Sequence, residues 1–302
     1  MIVFNLVLSC LFLIGGCTKD DTTDTVIPTT ATSYINVAYA TSSTAQMMDI
    51  YLPAGEGPFP VVVFIHGGAF KMGNKEMETA NAAVLVSKGY AAVTINYRLS
   101  GEAKFPAQIQ DCKAAIRFLR ANAVKYKLNA DKIASWGASA GGNLSSLLGT
   151  SGGVAELEGA ELGNSSFSSK VLVSVDWFGP INFLTMDSEA TALGFSLTTN
   201  SASSPESVLM GAAVQTIPAQ VAKANPTTYI TADDAAFFIQ VGDADRNIPY
   251  TQSKNFYDAL VAVKGSTHVS YELIAGAGHG GTQFSATSNM DKVVAFLDKY
   301  MK

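Results

Sequence analysis

From residue 47 onward the chain alternates short apolar runs with longer amphipathic ones, and this rhythm most constrains its fold. Strand-type runs fall at 47–52, 61–65, 91–97, 133–137, 171–177, 236–241 and 268–274. Several are apolar at every position, as in Val61-Val62-Val63-Phe64-Ile65, which suits a strand buried on both faces. Helix-type runs lie between them, at 76–88 and 106–126, around Leu144 and Leu148, and through Phe256, Leu260 and Val263 to a stop at Gly265. A last helix carries Val293, Phe296, Leu297 and Tyr300. Strands separated by helices of this length imply an α/β fold, a mostly parallel sheet flanked by helices. At 302 residues, with 48% hydrophobic and 15% charged residues, the chain can bury one large core.

The alternation breaks once. Between residues 179 and 234 no strand pattern is visible, and Ser, Thr and Ala tracts surround short helical pieces at 208–213 and 218–224. A segment this long inside a compact domain is usually functional, and we expect a lid there. The first 16 residues, MIVFNLVLSCLFLIGG, carry no charged side chain and are too short to span a membrane. They suit an export signal. Ile14-Gly15-Gly16-Cys17 resembles the bacterial lipobox, which implies lipid on Cys17, and Lys19-Asp20-Asp21 resembles the surface-export tag of Bacteroidetes lipoproteins. The expected organisation is a lipoprotein signal at 1–16, a Thr- and Asp-rich tether at 17–33, and one domain at 34–302 with its lid at about 179–234. The expected location is an exported, membrane-anchored lipoprotein on the outer-membrane surface.

Composition narrows the chemistry. A net charge of −5 gives no basic footprint for nucleic acid. Three Cys and three His rule out a disulfide scaffold and argue against a zinc site, so neither metal nor cofactor is expected. Cys112 falls at helical spacing with Ile109, Ile116 and Leu119 and reads as a core residue.

Four loops carry the chemistry, each at the end of a strand. Gly137-Ala138-Ser139-Ala140-Gly141 fits G-x-S-x-G between a strand and a helix, which presents a Ser hydroxyl on a sharp turn above the sheet. His66-Gly67-Gly68-Ala69-Phe70 follows the strand at 61–65 and resembles the HGGG-type oxyanion loop. Gly68, Ala69 and Ala140 are the expected N–H donors to a developing oxyanion. Ser is a weak nucleophile without a base. His279, in a Gly-rich loop after the strand at 268–274, sits where open α/β sheets place ligands. His268 should lie at the opposite sheet edge, and His66 should shape its own loop. The third member should follow in the order Ser, Asp, His. Asp245 stands four residues before Pro249, and Asp243 is then a turn residue or a support. Asp111 reads as a structural partner of Arg98. Phe70, Trp177 and Phe178 are candidates to line an acyl or aryl pocket, with core placement as the alternative.

These motifs, with Asn96-Tyr97-Arg98-Leu99 and Phe105-Pro106-Ala107, resemble an α/β-hydrolase carboxylesterase. The best resemblance is to the feruloyl-esterase-like and carbohydrate esterase group, related to hormone-sensitive lipases. It implies a lid after the sixth strand and a cofactor-free serine esterase acting through an acyl-enzyme on feruloyl or acetyl groups of plant polysaccharide. The partners it implies are that ester substrate and a membrane met only through the N-terminal lipid. An aryl formamidase with the same triad, a peptidase of the prolyl-oligopeptidase kind and a non-catalytic carbohydrate-binding lipoprotein are the alternatives.

Overall fold

The computed structural model describes residues 32–302. The expected signal at 1–16, Cys17 and most of the tether lie outside the described residues. Eight strands form one sheet: β1 (Thr32–Ala38), β2 (Met47–Leu52), β3 (Phe59–Ile65), β4 (Ala91–Ile95), β5 (Leu128–Ala138), β6 (Val173–Trp177), β7 (Ala236–Gly242) and β8 (Val269–Ile274). The helices are α1 (Thr79–Ser87), α2 (Ala107–Ala121), α3 (Ala140–Thr150), α4 (Ala155–Glu158), α5 (Met186–Ala192), α6 (Pro205–Met210), α7 (Pro218–Val221), α8 (Tyr250–Lys264), α9 (Thr282–Ser285) and α10 (Thr287–Met301).

Strand order is β1-β2-β4-β3-β5-β6-β7-β8. The first two pairings, β1 with β2 and β2 with β4, are antiparallel, and the other five are parallel. The expected mostly parallel sheet with flanking helices is therefore present. β1 was not expected, and it begins at Thr32, inside the range read as tether. It lies at the sheet edge with mostly exposed side chains, so it lacks the apolar pattern that marks an internal strand.

The all-apolar strands divide their side chains between two cores. Val61, Val63 and Ile65 of β3 face one cluster with Ile109, Cys112 and Ile116 of α2. Val62 and Phe64 face the other, with Leu85 of α1 and Val293 and Leu297 of α10. Period-two alternation thus buries both faces. Cys112 is fully buried, and burial pushes its thiol pKa well up, as befits an inert core residue.

Between β6 and β7 the chain forms no strand. It carries α5, α6 and α7 with single-turn 3-10 pieces at Val214–Thr216, Ala222–Ala224 and Pro226–Tyr229. Phe178 begins this insertion at φ 44. Among the described residues no helix is long and apolar enough to cross a membrane.

Candidate active site

The parallel strands β3, β5, β7 and β8 deliver their C-terminal loops to one sheet edge, and the four chemistry-bearing loops meet there. Ser139 sits between β5 and α3 at φ 56 and ψ −123, a conformation an L-residue holds only when its surroundings fix it. Two close approaches do the fixing. A Cβ added at Gly137 would lie 2.0 Å from the Gly141 carbonyl oxygen, and one at Gly141 would lie 2.0 Å from that of Ile65. Only glycines let the turn close this tightly against β3.

The hydroxyl this turn presents is engaged. Ser139 Oγ lies 2.8 Å from His279 Nε2, and His279 Nδ1 lies 2.8 Å from Asp245 Oδ2. The other Asp245 oxygen accepts the backbone N–H groups of Asn247 and Ile248 at 2.8 and 2.9 Å. These bonds fix the buried carboxylate so that its free oxygen faces the ring. A carboxylate can only accept, so Nδ1 carries the proton and Nε2 is left as an acceptor for the Ser139 hydroxyl. Asp243 accepts the Gly276 N–H at 2.7 Å, tying the β7 loop to the loop that carries His279. It supports the site, as expected.

The backbone donors divide. Ser139 N–H is occupied by the Trp177 carbonyl at 2.9 Å. Ala140 opens α3, where the N–H has no intrahelical partner. Ala69 and Phe70 both adopt positive φ, 54 and 60, and Ala69 and Ala140 line the cavity beside Ser139. Gly68 does not line it. It is a turn glycine at φ 113, whose added Cβ would fall 2.0 Å from the Met72 carbonyl oxygen. Of the three expected donors, the fold brings Ala69 and Ala140 to the cavity.

His66 is held away from the nucleophile. Its Nδ1 donates to the Gly67 carbonyl at 2.7 Å, its ring stacks on Tyr97 at 4.4 Å, and burial lowers its pKa. Tyr97 Oη in turn donates to the His66 carbonyl at 3.1 Å. His66 therefore shapes its loop, as its position before the glycines implied. His268 lies in a turn before β8, 3.3 Å from Tyr300 Oη. Asp111 is fully buried and receives Arg98 through both Nε and Nη2, so it is the structural partner expected.

A cavity of about 290 Å³ opens beside Ser139 and His279. Phe70 lines it, as expected. Trp177 does not, and here the expectation is corrected. As the last residue of β6 its side chain turns to the opposite core, where it packs on Trp136 and Phe284 and donates to Gln240 at 2.6 Å. Phe178 also lies outside the lining. It packs edge-on against the His279 ring at 4.8 Å and against Phe284 at 4.7 Å, and so helps hold the imidazole.

Sequence reasoning missed the residues that join the insertion to the helix that follows Ser139. Asn143 of α3 donates to the carbonyls of Pro180 and Ala224 at 2.8 and 3.2 Å. Asp176 accepts Ser146 Oγ at 2.7 Å and Gly179 N–H at 2.8 Å, and burial pushes its carboxyl up to about 6. Asn143 had a signal in its place just beyond the elbow glycines. Asp176 had the weaker one of a charge inside an apolar strand. Among the described residues no cluster of three or more His, Cys, Asp or Glu could hold a metal.

Known proteins share this fold. A structure titled as a truncated form of a carbohydrate esterase from gut microbiota superposes with a TM-score of 0.82 at 33% identity, covering 89% of this chain and 96% of that one. A bifunctional GH43-CE protein of Bacteroides eggerthii gives a TM-score of 0.79 at 36% identity, over 89% of this chain and 35% of the other. Esterase LipC of Mycobacterium tuberculosis is 30% identical over 241 residues, 78% of this chain and 57% of that protein. The chain thus spans little more than half the length of this curated relative. The fold is the α/β-hydrolase fold, and because the BD-FAE family matches residues 48–260, well over half of the sequence, the chain belongs to the BD-FAE family.

Proposed function

We propose that the protein is a serine carboxylesterase that removes acyl groups, feruloyl or acetyl, from plant polysaccharide through an acyl-enzyme. The observation that carries this reading is the unbroken relay from Asp245 to His279 to Ser139 at 2.8 Å for each link. His279 Nε2 takes the Ser139 proton as the hydroxyl attacks the ester carbonyl, and Asp245 stabilises the imidazolium that forms. The tetrahedral oxyanion accepts from the N–H groups of Ala69 and Ala140, at the positive end of α3. His279 then protonates the departing alcohol, and water reverses the sequence to free the acid. No step calls on a metal or an organic cofactor.

The polysaccharide substrate rests on the two carbohydrate esterase neighbours. The proposed location is an exported lipoprotein anchored through Cys17, which labelling with a radioactive fatty acid tests directly: a Cys17→Ala chain should take up none. The activity is tested by turnover across acetyl-xylan, methyl ferulate, short nitrophenyl esters and formyl-kynurenine. Hydrolysis of the esters that disappears in Ser139→Ala supports the reading. Preference for formyl-kynurenine, or ester turnover at full rate in Ser139→Ala, contradicts it.

A further inference from the structure

One carboxyl in the cavity beside Ser139 has no role in the relay. Glu206, in the first turn of α6, is the only acidic residue lining that cavity among the described residues, and it is 8% exposed. It forms no ion pair there. The neighbouring Ser204 hydroxyl gives its proton to the Thr199 carbonyl at 2.7 Å and accepts the Ser207 N–H at 3.0 Å, and together with the Glu206 N–H it lies close enough to the carboxyl to lower its pKa against the larger effect of burial. Glu206 is thus a buried acid on a cavity whose wall combines apolar side chains, Phe70, Met186, Leu197 and Ile248, with the polar Thr198 and Asn247.

A carboxyl has more acceptor sites than these two neighbours can fill, and a buried acceptor site left over carries a desolvation cost that a donor on the ligand relieves. A mixed wall with one buried carboxyl matches a substrate that carries both hydrocarbon and a hydroxyl. Burial also pushes the Glu206 carboxyl up.

We propose that Glu206 is a specificity-determining residue that accepts a hydrogen bond from a hydroxyl of the substrate. This rests on the esterase reading above and deepens it. Two hydroxyls have the required chemistry: a phenolic group at the far end of an aryl acyl chain, and a ring hydroxyl of the sugar that bears the ester. The first places Glu206 on the acyl side of the cavity, the second on the alcohol side.

The test compares wild type with Glu206→Gln and Glu206→Met on two substrate pairs. The acyl pair is methyl 4-hydroxycinnamate against methyl cinnamate. The alcohol pair is acetylated xylo-oligosaccharide against 4-nitrophenyl acetate. Glu206→Met should cut the kcat/KM preference for the hydroxylated member of one pair by about tenfold or more, through KM, and leave the poorer member nearly unchanged. Glu206→Gln keeps a carbonyl acceptor and should retain part of that preference. A change in the first pair assigns the phenol, and in the second the sugar. Both ratios unchanged in both variants overturns the proposal. So does a uniform loss across all four substrates together with a lowered Tm, which marks Glu206 as a helix-end charge that only stabilises α6. Wild type inert on 4-nitrophenyl acetate instead overturns the esterase reading, and this proposal with it, so the two failures are distinguishable.

Discussion

The strand-end loops and the insertion between β6 and β7 both reach the same cavity, but they are built differently. The loops carrying Ser139, Asp245 and His279 are short, hang from buried parallel strands, and are pinned by backbone contacts such as Ser139 N–H to the Trp177 carbonyl. The insertion is a chain of one- and two-turn helices held by side-chain bonds, such as Asn143 to Pro180 and Gln252 to Ile181 and Asn182. It contributes Met186, Leu197 and Glu206 to the wall. The difference teaches a division of labour. The sheet edge fixes atoms to within a hydrogen bond, as proton transfer demands. The insertion supplies shape and polarity, which can vary without disturbing the relay.

That division orders the expected effects of substitution. Ser139→Ala and His279→Ala remove the proposed nucleophile and base, and each should lower kcat by about 10⁴-fold or more, with Tm nearly unchanged. Asp245→Asn keeps the shape but misdirects the imidazole tautomer, so stopped kinetics should show a fall in kcat of about 10⁴-fold. Either result with activity near wild type breaks the claim that the sheet edge carries the chemistry.

Next come the turns and supports that hold the edge. Gly141→Ala drives a Cβ to 2.0 Å from the Ile65 carbonyl oxygen, so denaturant unfolding should show a loss of about 3 kcal/mol or failure to fold. Asp111→Ala leaves Arg98 without its carboxylate, and about 3–5 kcal/mol of stability should go with it.

The smallest expected effect joins the two regions through Asp176. Its carboxyl is pushed up to about 6 from an ordinary value of 3.8 because it is fully buried between α3 and Gly179. The folded state therefore holds this proton more tightly than the unfolded chain does. Its contribution to stability is fully present below about pH 4 and is lost as pH rises through about 6. Asp176→Asn should remove up to about 3 kcal/mol of that pH dependence, read as a flatter plot of unfolding free energy between pH 4 and 7. An unchanged slope shows that the proton resides elsewhere.

The same division explains what could be read from the sequence. β3, β4, β7 and the second half of β5 are largely apolar because both their faces are covered, and the G-x-S-x-G elbow, the HGG loop and the Asp245 loop follow β5, β3 and β7 directly, as the His279 loop follows β8. Local chemistry sets these positions, so they are legible one by one. β1 escaped notice because an edge strand needs no apolar face, and most of its side chains are exposed. Trp177 misled because its large aromatic side chain next to the insertion suggested a pocket. Only the strand register shows that it points to the far core, with Trp136 and Phe284. Glu206 gave no signal either. After Ser204 and Pro205 it reads as an ordinary acid at a helix start, and its burial depends on how the whole insertion folds over the sheet edge.

The central claim is that this sheet edge activates Ser139. Its most direct test is labelling of the intact protein with a fluorophosphonate, followed by mass mapping of the adduct. The account predicts one adduct on the peptide carrying Ser139, absent from both Ser139→Ala and His279→Ala. No adduct on the folded wild-type protein, or an adduct on another residue that persists in Ser139→Ala, would contradict it.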